Sequence, residues 1–265
     1  MSPNPVLASV DARGVASIVF NRPEVGNAYD GELIAALLAA IADLAGRGGL
    51  RAVRLSGSGR HFQAGADLNW VRGLAAGSLE DNLAASKATA EAVDGLNRLP
   101  LPTVALVQGA CFGGGTGIIA ACDIVIAADD ATFSIAEVRW GLTAAIIIPQ
   151  LSDAISVRQL RRYALTGERF GAAEALRIGL VHKLVGRDQL EAAGAEVIAQ
   201  LIGNGPAAIA ETKAAALASA LGGFAAERLD GLVRAHARRR CSAEAAEGLA
   251  SFVEKRPANW AAHGA

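Results

Sequence analysis

The densest chemical signal in the sequence is Gln108-Gly109-Ala110-Cys111-Phe112-Gly113-Gly114-Gly115-Thr116-Gly117, set between a β-branched apolar run and an apolar helical pattern. Glycines tolerate positive φ and let a ligand approach the main chain, and the unpaired N–H groups at a helix start bind negative charge. This is not a dinucleotide fingerprint, because the third glycine of GxGxxG would fall on Ile118. It also lacks the Lys-Ser/Thr pair of a phosphate-binding loop. Two readings stay open: an anion or oxyanion donor, or a strand-to-helix turn that needs glycine only for tight packing. A second stretch, His61-Phe62-Gln63-Ala64-Gly65-Ala66-Asp67-Leu68, offers backbone N–H groups over Ala64 to Ala66, just ahead of a helix that Asp67 can cap. Two N–H donors from separate loops can polarise one carbonyl. Taken alone, Ala-Gly-Ala-Asp is equally an ordinary loop and cap.

The other reactive residue types read more plainly. His61 and His182 have no Ser or Cys partner at a recognisable spacing, and Cys111 reads as small apolar filler beside the glycine turn. Cys111, Cys122 and Cys241 form neither an even disulfide framework nor a CxxC pair, and the four histidines are scattered, so no metal site is expected. The basic run Arg234-Ala235-His236-Ala237-Arg238-Arg239-Arg240 reads as a solvated helix face or a subunit contact.

The elements that must position these residues follow from periodicity. Val6 to Val10 and Val15 to Phe20 flank Asp11-Ala12-Arg13-Gly14 and predict a hairpin. A helix is predicted over Gly31 to Ala45 with Asp30 as cap, a strand over Ala52 to Leu55, a short helix from Asp67 through Leu74, and a longer one from Leu79 to Leu99 before Pro100 and Pro102. Thr103 to Val107 reads as a buried strand. The glycine turn then leads into a helix up to Cys122, with strands over Asp123 to Ala127 and Thr132 to Ser134. Strand pairs recurring with one helix between them suggest successive turns of a spiral rather than a doubly wound sheet. From Pro206, at a helix N1 position, to Glu254 the pattern is almost wholly helical, with breaks at Gly222-Gly223 and Ser242. The expected division is therefore a core over residues 1–200 and a helical region over 201–265, too small to bury its apolar faces alone.

Composition narrows the class of partner. The 265 residues are 52% hydrophobic and 19% charged, with Lys+Arg 25 against Asp+Glu 26 and a net charge of -1. Such a chain has no positive field to draw in nucleic acid or an anionic bilayer, so neither is an expected partner. The start, Met-Ser-Pro-Asn-Pro, does not read as a signal peptide, and the most apolar stretch, Ile118 to Ala128, is interrupted by Asp123. A reduced cytoplasm is the expected location. The 59 Ala and the four Lys among 25 basic residues point to a genome bias and carry no function.

Together with Phe20-Asn21-Arg22-Pro23-Glu24-Val25-Gly26-Asn27-Ala28, these motifs make the chain resemble the enoyl-CoA hydratase/isomerase (crotonase) superfamily. The resemblance runs on through Cys122-Asp123, Phe133 to Gly141, Leu165-Thr166-Gly167 with Ala172 to Val181, and Phe252-Val253-Glu254-Lys255-Arg256, seven motifs in order. It implies an α/β fold, a crotonase-like ββα spiral, with a C-terminal all-helical trimerisation region whose trimers often pair into hexamers. It implies that the N–H groups of Ala66 and Gly114 form the oxyanion hole for an acyl-CoA thioester, and that no cofactor is needed beyond the coenzyme A of the substrate. By the same resemblance Arg22, Ala28, Ala64, Gly65, Asp67, Leu68, Gly113, Phe252 and Lys255 bind coenzyme A or substrate, with Phe252 and Lys255 reaching the adenine and a phosphate from this or a neighbouring subunit.

The resemblance also exposes a departure, since the usual hydratases carry two glutamates here and this chain has Gly117 at the first position. The second matches Glu137, whose apolar neighbours can desolvate it and raise its pKa; without the family match it would read as an exposed or Arg139-paired strand-end carboxylate. After Gly141 the usual glycine-rich segment is replaced by Leu142-Thr143-Ala144-Ala145-Ile146-Ile147-Ile148-Pro149-Gln150, and Gly117, Trp140, Leu142 and Ala145 are assigned to the acyl pocket. This stretch, with Arg161 to Phe170, looks most like bacterial hydratases of methylglutaconyl or isohexenylglutaconyl thioesters. Such substrates carry an extra carboxylate, for which Arg139 or Arg72 is the candidate partner. The expected activity is hydration of an enoyl-CoA by one glutamate; a Δ3,Δ2-enoyl-CoA isomerase and a non-catalytic acyl-CoA-binding or RNA-binding member are the alternatives.

Overall fold

The computed structural model describes residues 4–220 and 243–259. Strands β1 (Val6–Val10) and β2 (Val15–Phe20) pair antiparallel. Then β3 (Ala52–Gly57), β4 (Thr103–Val107), β6 (Ile124–Ala128) and β9 (Lys183–Val185) add in parallel, giving the order β1-β2-β3-β4-β6-β9. A second sheet has the order β5-β7-β8, from β5 (Ala110–Phe112), β7 (Thr132–Ser134) and β8 (Arg169–Gly171). The chain passes from the large sheet to the small one twice in the same sense, β4 to β5 and β6 to β7, with α4 (Gly114–Ala120) between the passes. Repeating strand pairs about one helix make the mixed α/β spiral that the motif order implied.

Layering explains the continuous apolar runs. Every residue of β4 is buried because both faces of the sheet are covered. Val104 and Leu106 pack with Ile126 against Leu190, Ala193 and Ile198 of α7 (Leu190–Ile202), while Ala105 and Val107 join the larger core. That core holds Leu33, Leu37 and Ile41 of α1 (Gly31–Gly46) and Ala92, Val93 and Leu96 of α3 (Leu79–Arg98). Asp30 caps α1 by accepting the Leu33 N–H at 2.9 Å. Asp67 caps α2 (Leu68–Ala75) in the same way, accepting from Asn69 and Trp70.

Two local expectations differ from the structure. The helix after the glycine turn stops at Ala120 rather than running to Cys122, because the N–H groups of Ala121 and Cys122 tighten onto Ile118 O and Ile119 O in i→i−3 bonds that close its last turn. Glu137 is not at a strand end: β7 stops at Ser134, and Glu137 opens a short 3-10 turn, Glu137–Trp140, ended by Gly141 in the left-handed region. A second such turn, Ala145–Ile147, leads into α5 (Ile148–Thr166), which is broken at Ser156 (φ 65, ψ 151). Helix α6 (Ala172–Ile178) follows β8.

The C-terminal region contributes α8 (Pro206–Ala220) and α9 (Ala243–Glu254). The expected division at residue 200 falls in the last turn of α7. Arg234 to Arg240, Cys241 and the Gly222-Gly223 break lie outside the described residues. Helix α8 is tied to the core through Lys213, whose Nζ donates to Asp123 Oδ2 at 2.8 Å and to Leu101 O at 3.1 Å. Among the described residues no helix is long and apolar enough to cross a membrane.

Candidate active site

The loop after β3 and the glycine turn after β5 are built side by side by isolated strand pairings. Gln63 N–H donates to Ala110 O at 3.1 Å, and Phe112 N–H returns to Gln63 O at 3.0 Å. One residue row further, Tyr29 N–H donates to Gly65 O at 2.9 Å and Asp67 N–H donates to Tyr29 O at 2.8 Å. Ala66 lies between those two bonds with its own N–H unpaired, and Gly114 opens α4, where a helix has no internal acceptor for its first N–H groups. Among the described residues no acceptor takes either amide.

These segments line a cavity of about 510 Å³. Of the residues assigned from sequence, Ala64, Gly65, Ala66, Leu68, Gly113, Gly114, Glu137, Trp140 and Leu142 form its wall. Burial pushes the Glu137 carboxyl up from its ordinary 4.5, and its Oε2 is buried without a hydrogen-bond partner. Its Oε1 sits only 3.0 Å from where a Cβ on Gly113 would stand, and Gly113 itself has φ +50, so glycine is required there on both counts. No ion pair joins Arg139 to Glu137 among the described residues; the Arg139 side chain instead lies against Gly167 and the cavity wall.

Other assigned residues stand elsewhere. Arg22 is outside the wall: its guanidinium is held by Asp30 at 2.8 Å, by Asp67 at 3.4 Å and by the Ala28 carbonyl at 2.6 Å. One side chain thus braces the caps of α1 and α2, and Arg22, Ala28 and Asp67 shape the site from behind. Asn27, fully buried at φ 57, completes the brace by accepting the Arg22 N–H and donating to Ser58 O and His61 O. Gly117 does not open the acyl pocket, because Ile147 fills its side-chain space; a Cβ there would lie 2.2 Å from Ile147 Cγ2. Ala145 is exposed and outside the wall, which takes Ala144, Ile146 and Ile147 instead. Lys255 is exposed just past α9, and the side chain of Phe252 lies outside the described residues.

Residue types alone had not marked Tyr29, Trp70 or Arg169, all of which line the cavity. Tyr29 follows Asn27-Ala28 without a motif of its own. Its ring stands edge-on to Trp70, with centroids 5.9 Å apart, and burial, with the nearby Glu137 charge second, pushes its phenol up to about 12. Arg169 lies over the Phe112 ring, its Cζ 5.1 Å from the centroid. Arg72, the other sequence candidate for a cation, is outside the wall and bonded to Asn69 Oδ1. Cys111 and Cys122 are buried, and burial raises both thiols, Cys122 to about 12, as inert filler requires.

One cavity wall thus holds an acid together with Ala66 and Gly114, whose amides are unpaired, and comparison with known proteins identifies the relatives of the chain. The family model described as enoyl-CoA hydratase/isomerase matches residues 11–263. A Thermus thermophilus relative that carries an enoyl-CoA hydratase name is 34% identical over 257 residues, covering 95% of this chain and 99% of its own. The peroxisomal Δ(3,5)-Δ(2,4)-dienoyl-CoA isomerase of Arabidopsis thaliana is 32% identical over 216 residues, 77% of this chain and 78% of its own. The crystal structure of an enoyl-CoA hydratase from Shewanella pealeana superposes with a TM-score of 0.92 at 36% identity, over 97% of this chain and 96% of that one. The chain belongs to the enoyl-CoA hydratase/isomerase family.

Proposed function

We propose that this chain hydrates the α,β double bond of an acyl-CoA thioester with Glu137 as its one acid/base and the N–H groups of Ala66 and Gly114 as donors to the thioester oxygen. The observation that carries the reading is one half-buried glutamate, its Oε2 buried and unpartnered, in a cavity wall that also includes Ala66 and Gly114 with their amides unpaired. As water adds at the β carbon, negative charge gathers on the thioester oxygen, where each preorganised donor is worth about 3 kcal/mol. Glu137 takes a proton from the water and returns one to the α carbon, so one carboxylate serves both ends of the bond. A carboxylate raised by burial is a stronger base once ionised, which suits it to that relay.

The acyl group this reading favours is branched or carboxylated. Arg139 and Arg169 both line the cavity, and among the described residues neither has a carboxylate partner. An acyl chain ending in a carboxylate would meet one of them. Ala64, Lys255 and Phe252 are left to the adenine and phosphates of coenzyme A.

An isomerase is the second reading, favoured by the same count of one glutamate in the wall, since moving a double bond needs only one proton shuttled between carbons. Turnover of straight, β-methyl and γ-carboxylated enoyl-CoA thioesters in ¹⁸O water separates the two. Label in a 3-hydroxyacyl product, lost in Glu137→Gln, is the expected result; an unlabelled 3-enoyl product establishes the isomerase. Binding of every thioester with no turnover by the unaltered chain leaves a non-catalytic member.

A further inference from the structure

Glu137 and Tyr29 stand over consecutive residues of the glycine turn. A Cβ on Gly113 would meet Glu137 Oε1 at 3.0 Å, and a Cβ on Gly114 would meet the Tyr29 ring at 2.5 Å and its hydroxyl at 3.0 Å. Adjacent Cα atoms are about 3.8 Å apart, so the acid and the phenol face the same short length of wall, beside the Gly114 amide. Among the described residues no group pairs with the Tyr29 hydroxyl. The ring packs between Gly114 and Trp70, and its backbone is fixed by the two bonds that also hold Ala66.

We propose that the Tyr29 hydroxyl is a third hydrogen-bond donor to the thioester oxygen, completing the pair of amides from Ala66 and Gly114. The inference rests on the acyl-CoA reading above and adds to it a side chain that neither sequence motif marked. Burial keeps this phenol protonated at any ordinary working pH, so it cannot be the base that the absent second carboxylate would have supplied. What a fixed neutral hydroxyl offers is donation toward the atom that becomes negative. A glutamate at Gly117 is sterically replaced by Ile147, so the site gains charge stabilisation at the oxygen instead of a second proton carrier.

The test uses Tyr29→Phe, which keeps the ring and its contact with Trp70 and removes one oxygen. Acetoacetyl-CoA is the probe, because its bound enolate absorbs in the near ultraviolet and shares its negative charge between the 3-keto and thioester oxygens; butyryl-CoA, which forms no enolate there, is the control. The expected result is an enolate band weakened roughly tenfold or more with butyryl-CoA affinity unchanged, and a matching loss in kcat with KM unaltered. Replacing Tyr29 by 3-fluorotyrosine, a stronger donor of nearly the same size, should move enolate formation to lower pH, which a merely steric ring would not do. An undiminished band and kcat in Tyr29→Phe overturn the proposal and leave the acyl-CoA reading intact. Failure of the unaltered chain to bind these two thioesters and the β-methyl and γ-carboxylated ones alike overturns that reading and this inference with it.

Discussion

At the scale of single residues, Glu137 couples the chemistry to stability through its protonation. A carboxyl raised in the folded chain binds more protons there than in the unfolded chain over the interval above its ordinary 4.5, so stability falls as pH rises through that interval. The cost is complete once the pH exceeds the folded value and is absent below 4.5. Glu137→Gln should therefore melt at a higher temperature than the unaltered chain at pH 7, the difference closing as the pH drops below about 4, while hydration is lost. Melting curves of both proteins across that range check it; an equal gap at pH 4 and pH 7 would refute the assignment. The glycine turn stands out in the sequence by its spacing, whereas Ala66, Gly114 and Glu137 are singled out only by the resemblance, since an Ala-Gly-Ala-Asp loop and a lone glutamate are ordinary on their own. Tyr29 is marked by neither, since a lone aromatic after a loop has no spacing to give it away. Arg22, assigned to the ligand by the resemblance, has its charge paired with the caps of two helices, a bracing role that its motif does not announce.

At the scale of elements, the packing of α4 against the turn Ala145–Ile147 decides why the first glutamate position is glycine. Ile147 is 1% exposed and occupies the space into which any side chain at Gly117 would point. Gly117→Ala improves helix propensity by about 1 kcal/mol, yet overpacking against a β-branched neighbour costs about 2–3 kcal/mol, so destabilisation should win. Paired with Ile147→Ala, which alone costs about 2–4 kcal/mol, the two changes should total at least 1 kcal/mol less than their sum. Urea denaturation of the two single variants and the double variant measures this, and strict additivity would mean that the side chains do not compete. Long periodic elements such as α1, α3 and β4 were readable at nearly their observed bounds. The three-residue strands β5 and β8 were not, because their pairing depends on partners far along the chain.

At the scale of the molecule, large apolar side chains remain uncovered. Leu79 and Leu83 on α3 are 76% and 62% exposed, Leu165 at the end of α5 is 71% exposed, and no residue from Pro206 to Ser219 of α8 is fully buried. We propose that residues 201–265 and these leucines take part in a homotrimer, alone or paired as a hexamer. Sedimentation should give three or six times 27.0 kDa, and a species of 27.0 kDa at micromolar concentration would exclude it. Another feature acts at this scale without a partner. The bridges from Gln63 to Cys111 and from Tyr29 to Ala66 continue strand pairing into the cavity wall, so the interval between the proposed donor amides is set by the same bonds that hold distant segments together. The dipoles are aimed while the chain folds, before any thioester arrives, and the free energy of folding is then what holds them against relaxing around the ground state.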